Sequence, residues 1–233
     1  MISEPRIAVI LAFLISVVHF LGEELEEYIS GYREEIVSFS SGASITYIFG
    51  QLMPEFHRIA VESTDLIFLL PLFGFSSIHL LEKFVARSGL EQEKIRKDYV
   101  EIHSVFLFLY NGAIGYLIAS LITESAVSGL LFFLPIILHV GVSSFSTTEL
   151  HESFSRKTSV KFIISIAPLI GALAHNLGSF ADQHFHLLFG TVIGMFFYVV
   201  IRDSIPGDEQ GRPTEYLAGT LIYLAVILVA NTI

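Results

Sequence analysis

The sequence predicts an all-α integral membrane protein of eight transmembrane helices. Both termini lie outside, and the helices fall into a 3+2+3 order whose outer triplets read as an inverted repeat. Three observations carry this. Hydrophobic residues make up 53% of the 233 and the mean hydropathy is +0.68. Charged residues are only 15%, against about 25% in soluble domains. The basic residues also fall unevenly between the two sets of loops.

The apolar blocks lie at about 5–25, 36–56, 65–86, 101–122, 128–149, 158–178, 183–204 and 213–232. Each is about 20 residues, enough for a helix to cross about 30 Å of hydrocarbon. Helices are required because lipid offers backbone polar groups no partner. The first block follows "MISEPR", which has no basic n-region and no small-residue cleavage site, so it reads as a retained span. The longest linker, "VARSGLEQEKIRKDY", is polar and reads as helical or mobile. The whole chain, 1–233, is one transmembrane domain, with repeat one at about 5–86, central helices at about 101–149 and repeat two at about 158–232.

With the amino terminus outside, the inner ends and loops hold Arg33, Lys83, Arg87, Lys94, Arg96, Lys97, Arg156, Lys157, Lys161, Arg202 and Arg212. The outer side keeps Arg6 and Arg58. Basic residues stay on the cytoplasmic side, so this placement fixes the orientation.

The second block, "GASITYIFGQLMPE", and the seventh, "GMFFYVVIRDSIPG", both run from a glycine through aromatics to a proline twelve positions on: Gly42 to Pro54 and Gly194 to Pro206. Gly74 in the third block is echoed by Gly219 in the eighth. Blocks one to three start outside and six to eight start inside, so the repeat is inverted, a transporter-like plan. Chance recurrence of Gly and Pro is the alternative.

Absent cysteine excludes disulfides and thiolate metal sites. There is no Gly-rich phosphate loop, no Ser-His-Asp context, no "HExxH" and no basic tract for nucleic acid. The expectation is a non-enzyme without a cofactor, working without ATP.

Several strings resemble the ZIP (Zrt/Irt-like) divalent-metal transporters. "GQLMPE" (50–55) is similar to that family's second-helix ending "LHLLPE", "LFGFSSIHLLEKF" (72–84) to its third helix "GF…LEK", and "GTVIGMFFYVVIRDSIP" (190–206) to its seventh, "AGTFLYVALVDLLPE". The resemblance implies a metal path between helices four and five, zinc as the foremost transported ion, and a homodimer; a compact chain without targeting signals suggests a prokaryotic plasma membrane. In the family, helix four carries "HNxPDG" or "HSxxEG" and helix five "HExPHE".

Here the fourth span reads "HSVFLFLYNG", with His103 and Ser104 on the motif start and Leu107 where an acid is usual. A second register places Asn111-Gly112 on the "EG" pair. The fifth span reads "HVGVSS": His139 is kept, Val140 replaces the acid, and Ser143 and Ser144 replace the second His-Glu pair. The resemblance thus makes His103 and His139 the metal residues, with Ser104, Asn111 and Ser143 as further contributors. Hydroxyls are poor zinc ligands, and two imidazoles leave zinc two ligands short unless water or another helix supplies them. The hydroxyls and amide read equally as helix–helix glue.

Accessory groups lie at both ends. His19 and Glu23 are four apart at the inner end of the first span, a capture or exit site or a solvated acidic helix end. "AHNLGSFADQHFH" sets His175, Asp182 and His186 on the outer face, a collecting mouth or an ordinary polar loop. Glu149, His151 and Glu152 close the fifth span near Arg156 and Lys157 and read as salt-bridged caps.

Two functions follow from the resemblance: a ZIP-like transporter or channel for divalent metal with an atypical His/hydroxyl site, or a ZIP-fold protein that acts as a binding or regulatory partner. A membrane metal hydrolase built on His19/Glu23 with His151/Glu152 has no motif behind it. The transporter requires His103 and His139 to converge, with ring nitrogens within about 5–6 Å if they share one ion.

Overall fold

The computed structural model describes residues 3–61, 65–88, 93–146, 158–178, 185–204 and 211–232, and all regular structure among them is helical. Helix α1 spans Glu4–Ile29, α2 Arg33–Tyr47, α3 Met53–Ala60, α4 Leu69–Ser88, α5 Glu93–Glu124, α6 Ala126–Ser146, α7 Thr158–Asn176, α8 Phe185–Ser204 and α9 Pro213–Ala230. Among the described residues six helices are long and apolar enough to cross a membrane, which makes this a multi-pass membrane protein.

The fifth sequence block runs on past the described side chains, and the second falls short for local reasons. In α6 the apolar run is Ala126–Val142. In the second block, α2 brings Glu34, Glu35 and four serines, and a π-turn at Ile48–Leu52 separates it from α3. The residues flanking that turn keep right-handed helical dihedrals, so α2 and α3 are one helix with a wide turn inside it. Pro54 accounts for the turn: it has no N–H for the preceding turn, and the ladder widens just before it. The polar linker after α4 is mostly helical, because α4 runs on to Ser88 and α5 begins at Glu93.

Several cross-helix ties among the described residues join ends that up-and-down traversal puts at one level. Arg58 at the end of α3 pairs with Glu124 at the end of α5. Asn176 at the end of α7 donates to the Pro5 carbonyl at the start of α1. At the opposite level Lys161 pairs with Glu24, and Arg212 with Glu34 and Glu35. The chain therefore alternates direction. Gly178, with φ +66°, ends α7 in the left-handed conformation that a Cβ disfavours.

The helices pack as two groups. In the first, α5 lies along α7, α1 along α6 and α7, and α5 along α6. In the second, α2 lies along α9, and α4 along α8. The groups meet where α2 and α8 touch α6 and where α4 and α8 touch α5. Just over half of the apolar window of α5 is buried (56%), against 17% for α4 and α9, so α5 is central and those two are peripheral. Exposed Phe13, Leu72, Phe73, Leu221 and Leu228 form the apolar outer surface that lipid requires.

Glycines set the closest approaches. A Cβ on Gly42 of α2 would meet the Tyr216 carbonyl and Thr220 amide of α9; one on Gly219 would meet the Phe39 carbonyl and Ala43 amide of α2. The second pair behaves alike. Gly74 of α4 lies on Thr191 and Met195 of α8, and Gly194 of α8 lies on Pro71 and Phe75 of α4. Backbone-to-backbone contact through small residues is the main packing device where lipid removes any hydrophobic drive between helices.

Candidate functional site

Helices α5 and α6 are joined by Ser125 alone. Its hydroxyl accepts from the Ser128 N–H at 3.4 Å, as an N-cap does, so α6 turns straight back along α5. Pro135 then interrupts the ladder of α6. One turn later comes His139, the histidine singled out by the sequence.

His139 is 3% exposed. Its ring meets Phe196 of α8 edge-on, with centroids 5.6 Å apart and planes at 85°. The imidazole is therefore held at the junction of the two helix groups and does not point to lipid. On α5, Tyr110 and Asn111 are buried at 7% and 3%. The Asn111 amide donates to the Leu107 carbonyl at 2.9 Å, so that amide is turned along its own helix. Ser104 is half-buried and has a partner of its own.

The backbones of His103 and Ser143 lie on α5 and α6. Their side chains fall outside the described residues, as do those of Glu23 and Asp182, so the convergence of His103 on His139 is not on view. Among the described residues no three His, Asp or Glu side chains gather around a common point.

The accessory groups separate. His19 is half-buried, with Nδ1 3.3 Å from Ser165 Oγ of α7. Ser165 gives its own hydrogen to the Lys161 carbonyl at 2.7 Å. The hydroxyl is then the acceptor for His19, which places an imidazole hydrogen on Nδ1. One turn away, the Lys161 ammonium lies 3.4 Å from Glu24 and 5.3 Å above the Phe20 ring. That cation works against metal capture at this end. His175 packs edge-on against Tyr116 of α5, with centroids 5.0 Å apart. Its Nδ1 is buried with no hydrogen-bond partner among the described residues. His186 is half-buried at the start of α8.

One polar cluster escaped the sequence reading. His79 Nδ1 of α4 lies 3.3 Å from the Tyr198 hydroxyl of α8, which donates to Glu82 at 2.8 Å. The other Glu82 oxygen is paired with Arg202. The signal was present: His79 and Glu82 are three apart, Tyr198 and Arg202 four apart, so each helix offers one polar face. An ionised pair at the end of a span is tolerated because each charge finds its opposite.

Comparison with protein-family models and with curated proteins finds no match to this chain.

Proposed function

We propose that this protein is a ZIP-like secondary pathway for divalent metal ions, zinc foremost, running between α5 and α6. The observation that carries the reading is the burial of His139 where the two helix groups meet, on the helix where that fold would place a ligand. A buried imidazole is costly at membrane depth and marks function by default. The inverted 3+3 repeat belongs to the same reading. Gly42 against Gly219 and Gly194 against Gly74 are two close approaches that exchange under the repeat correspondence, as a two-fold relation of the triplets requires. The reading extends to a homodimer in the plasma membrane with both termini outside.

The donor set implies loose ligation: imidazoles, hydroxyls and water, with no carboxylate in the central motifs. Uptake of zinc, manganese, iron or cadmium into proteoliposomes tests the reading. The wild type should exceed empty liposomes, and His139→Ala and His103→Ala should fall to the background. Wild-type flux no greater than empty liposomes removes the transport reading. The second reading, a ZIP-fold partner protein that moves no metal, would then stand. It is favoured by one observation: no third ligand joins His139 among the described residues.

A further inference from the structure

Hydroxyls in these helices mostly bond back to their own chain. Ser41 donates to Val37, Thr46 to Gly42, Ser77 to Phe73, Thr123 to Ala119 and Thr191 to Leu187, each a carbonyl one turn earlier. Ser40 and Ser44 of α2 do not. Both are 0% exposed, and neither Oγ has a hydrogen-bond partner among the described residues. The same one-turn bond is open to any helical serine, so these two side chains are turned off the helix and away from it.

Their direction follows from the helix period. Ser40, Ser44 and Tyr47 lie on one stripe of α2. Tyr47 meets Phe132 of α6, with ring centroids 6.1 Å apart. The two helices run in opposite directions, since α3 ends level with the end of α5, just before α6 begins. Seven residues back from Tyr47 is Ser40. Seven residues on from Phe132 is His139. Two turns along both helices toward the same end therefore bring the orphan hydroxyls to the level of the buried imidazole.

We propose that Ser40 and Ser44 form the α2 wall of a water-binding seam between α2 and α6 that leads to His139. Buried hydroxyls are almost always hydrogen-bonded, and water is the partner that fits two unbonded hydroxyls one turn apart, level with a buried imidazole. The inference rests on the reading of His139 as a residue of the pathway. Its test is separate, because the test reads water and not metal flux.

The chain has no cysteine, so one introduced thiol is the sole reactive one. Ser40→Cys and Ser44→Cys, in the full-length protein in liposomes, are treated with a membrane-impermeant, positively charged methanethiosulfonate. Ser77→Cys is the control, because Ser77 lies between the exposed Phe73 and Leu80 on the lipid side of α4. Thiols in apolar surroundings keep a raised pKa and react slowly. The seam predicts labelling at 40 and 44 about tenfold or more faster than at 77, the factor that one pKa unit of thiolate supplies. Labelling no faster than at 77 overturns it. If a cysteine variant fails to purify folded, Ser40→Ala/Ser44→Ala decides: a dry seam gains stability when unpaired hydroxyls go, and a rise in Tm overturns the proposal, whereas an unchanged or lower Tm supports it. Fast labelling in a protein that carries no metal would overturn the proposed function alone.

Discussion

The Tyr223 hydroxyl of α9 donates to the carbonyl oxygen of Leu131 on α6, 2.5 Å away. Leu131 stands four residues before Pro135, so its carbonyl is the one that loses its helical donor. A proline that would otherwise leave a bare carbonyl in the core is thus satisfied from another helix, and α9 is tied to α6. The Tyr47 and Phe132 rings pack around this contact, with Tyr47 edge-on to Tyr223 at 5.9 Å. Tyr223→Phe keeps the ring and removes the bond. It should lower stability by about 1 kcal/mol, the scale of one hydrogen bond within a membrane bundle. Pro135→Ala restores an N–H for Leu131, so Tyr223→Phe should cost less in that background. Thermal unfolding of the four proteins in one detergent gives the coupling, and strictly additive losses would refute the link.

The reciprocal glycines make a sharper claim, because backbone atoms cannot step aside as a flexible side chain can. Alanine at 42, 74, 194 or 219 must push α2 from α9 or α4 from α8. Each substitution should destabilise by about 1–3 kcal/mol, the usual cost of overpacking. Gly31 has nothing within 4 Å of the position of a Cβ. Gly31→Ala is therefore the control and should leave Tm unchanged. Equal Tm values across all five variants would contradict the packing.

Glu82 and Arg202 tie α4 to α8 near one end, with side chains 17% and 31% exposed. Removing one partner strands the other, while removing both leaves only neutral groups. Arg202→Gln should therefore destabilise by about 1–2 kcal/mol, less than a fully buried pair would because this one is partly screened. Glu82→Gln with Arg202→Gln should recover part of the loss. A double variant less stable than either single one would show that the pair is not the relevant contact.

These pairs show how far the sequence could be read. Apolar block length is a local property, and it located the helices. The glycine-to-proline echo pointed to Gly42 and Gly194, and the likeness of the third and eighth blocks to Gly74 and Gly219, although their partners came only from packing. The π-turn at Ile48–Leu52 was not legible in the second block, since hydropathy averages over it. Contacts such as Glu82–Arg202, Tyr223–Leu131 and His19–Ser165 join residues 92 to 146 positions apart. One helix's periodicity shows that a polar face exists but not which neighbour it meets. The proposed site was legible only as His139, which packing buries on α6. Its ligand count was not, because hydroxyls at ligand positions serve helix packing as well as they serve an ion.

That ambiguity yields to restoring a ligand. Position 143 lies one turn after His139 on α6, so a histidine there shares its face. Ser143→His rebuilds an i, i+4 imidazole pair, and two imidazoles one turn apart can ligate one zinc ion. If α5 and α6 enclose the proposed path, the variant should bind zinc about tenfold or more tightly than the wild type, a gain of about 1.4 kcal/mol. Titration of the purified protein with zinc, followed by its metal content after desalting, measures this. Tighter ligation should also slow release, so uptake by the variant should saturate at lower zinc and reach a lower maximum. If His139→Ala removes the gain, the new ligand acts together with His139. If Ser143→His binds no more zinc than the wild type, position 143 does not face the pathway and the assignment of α6 as its wall fails.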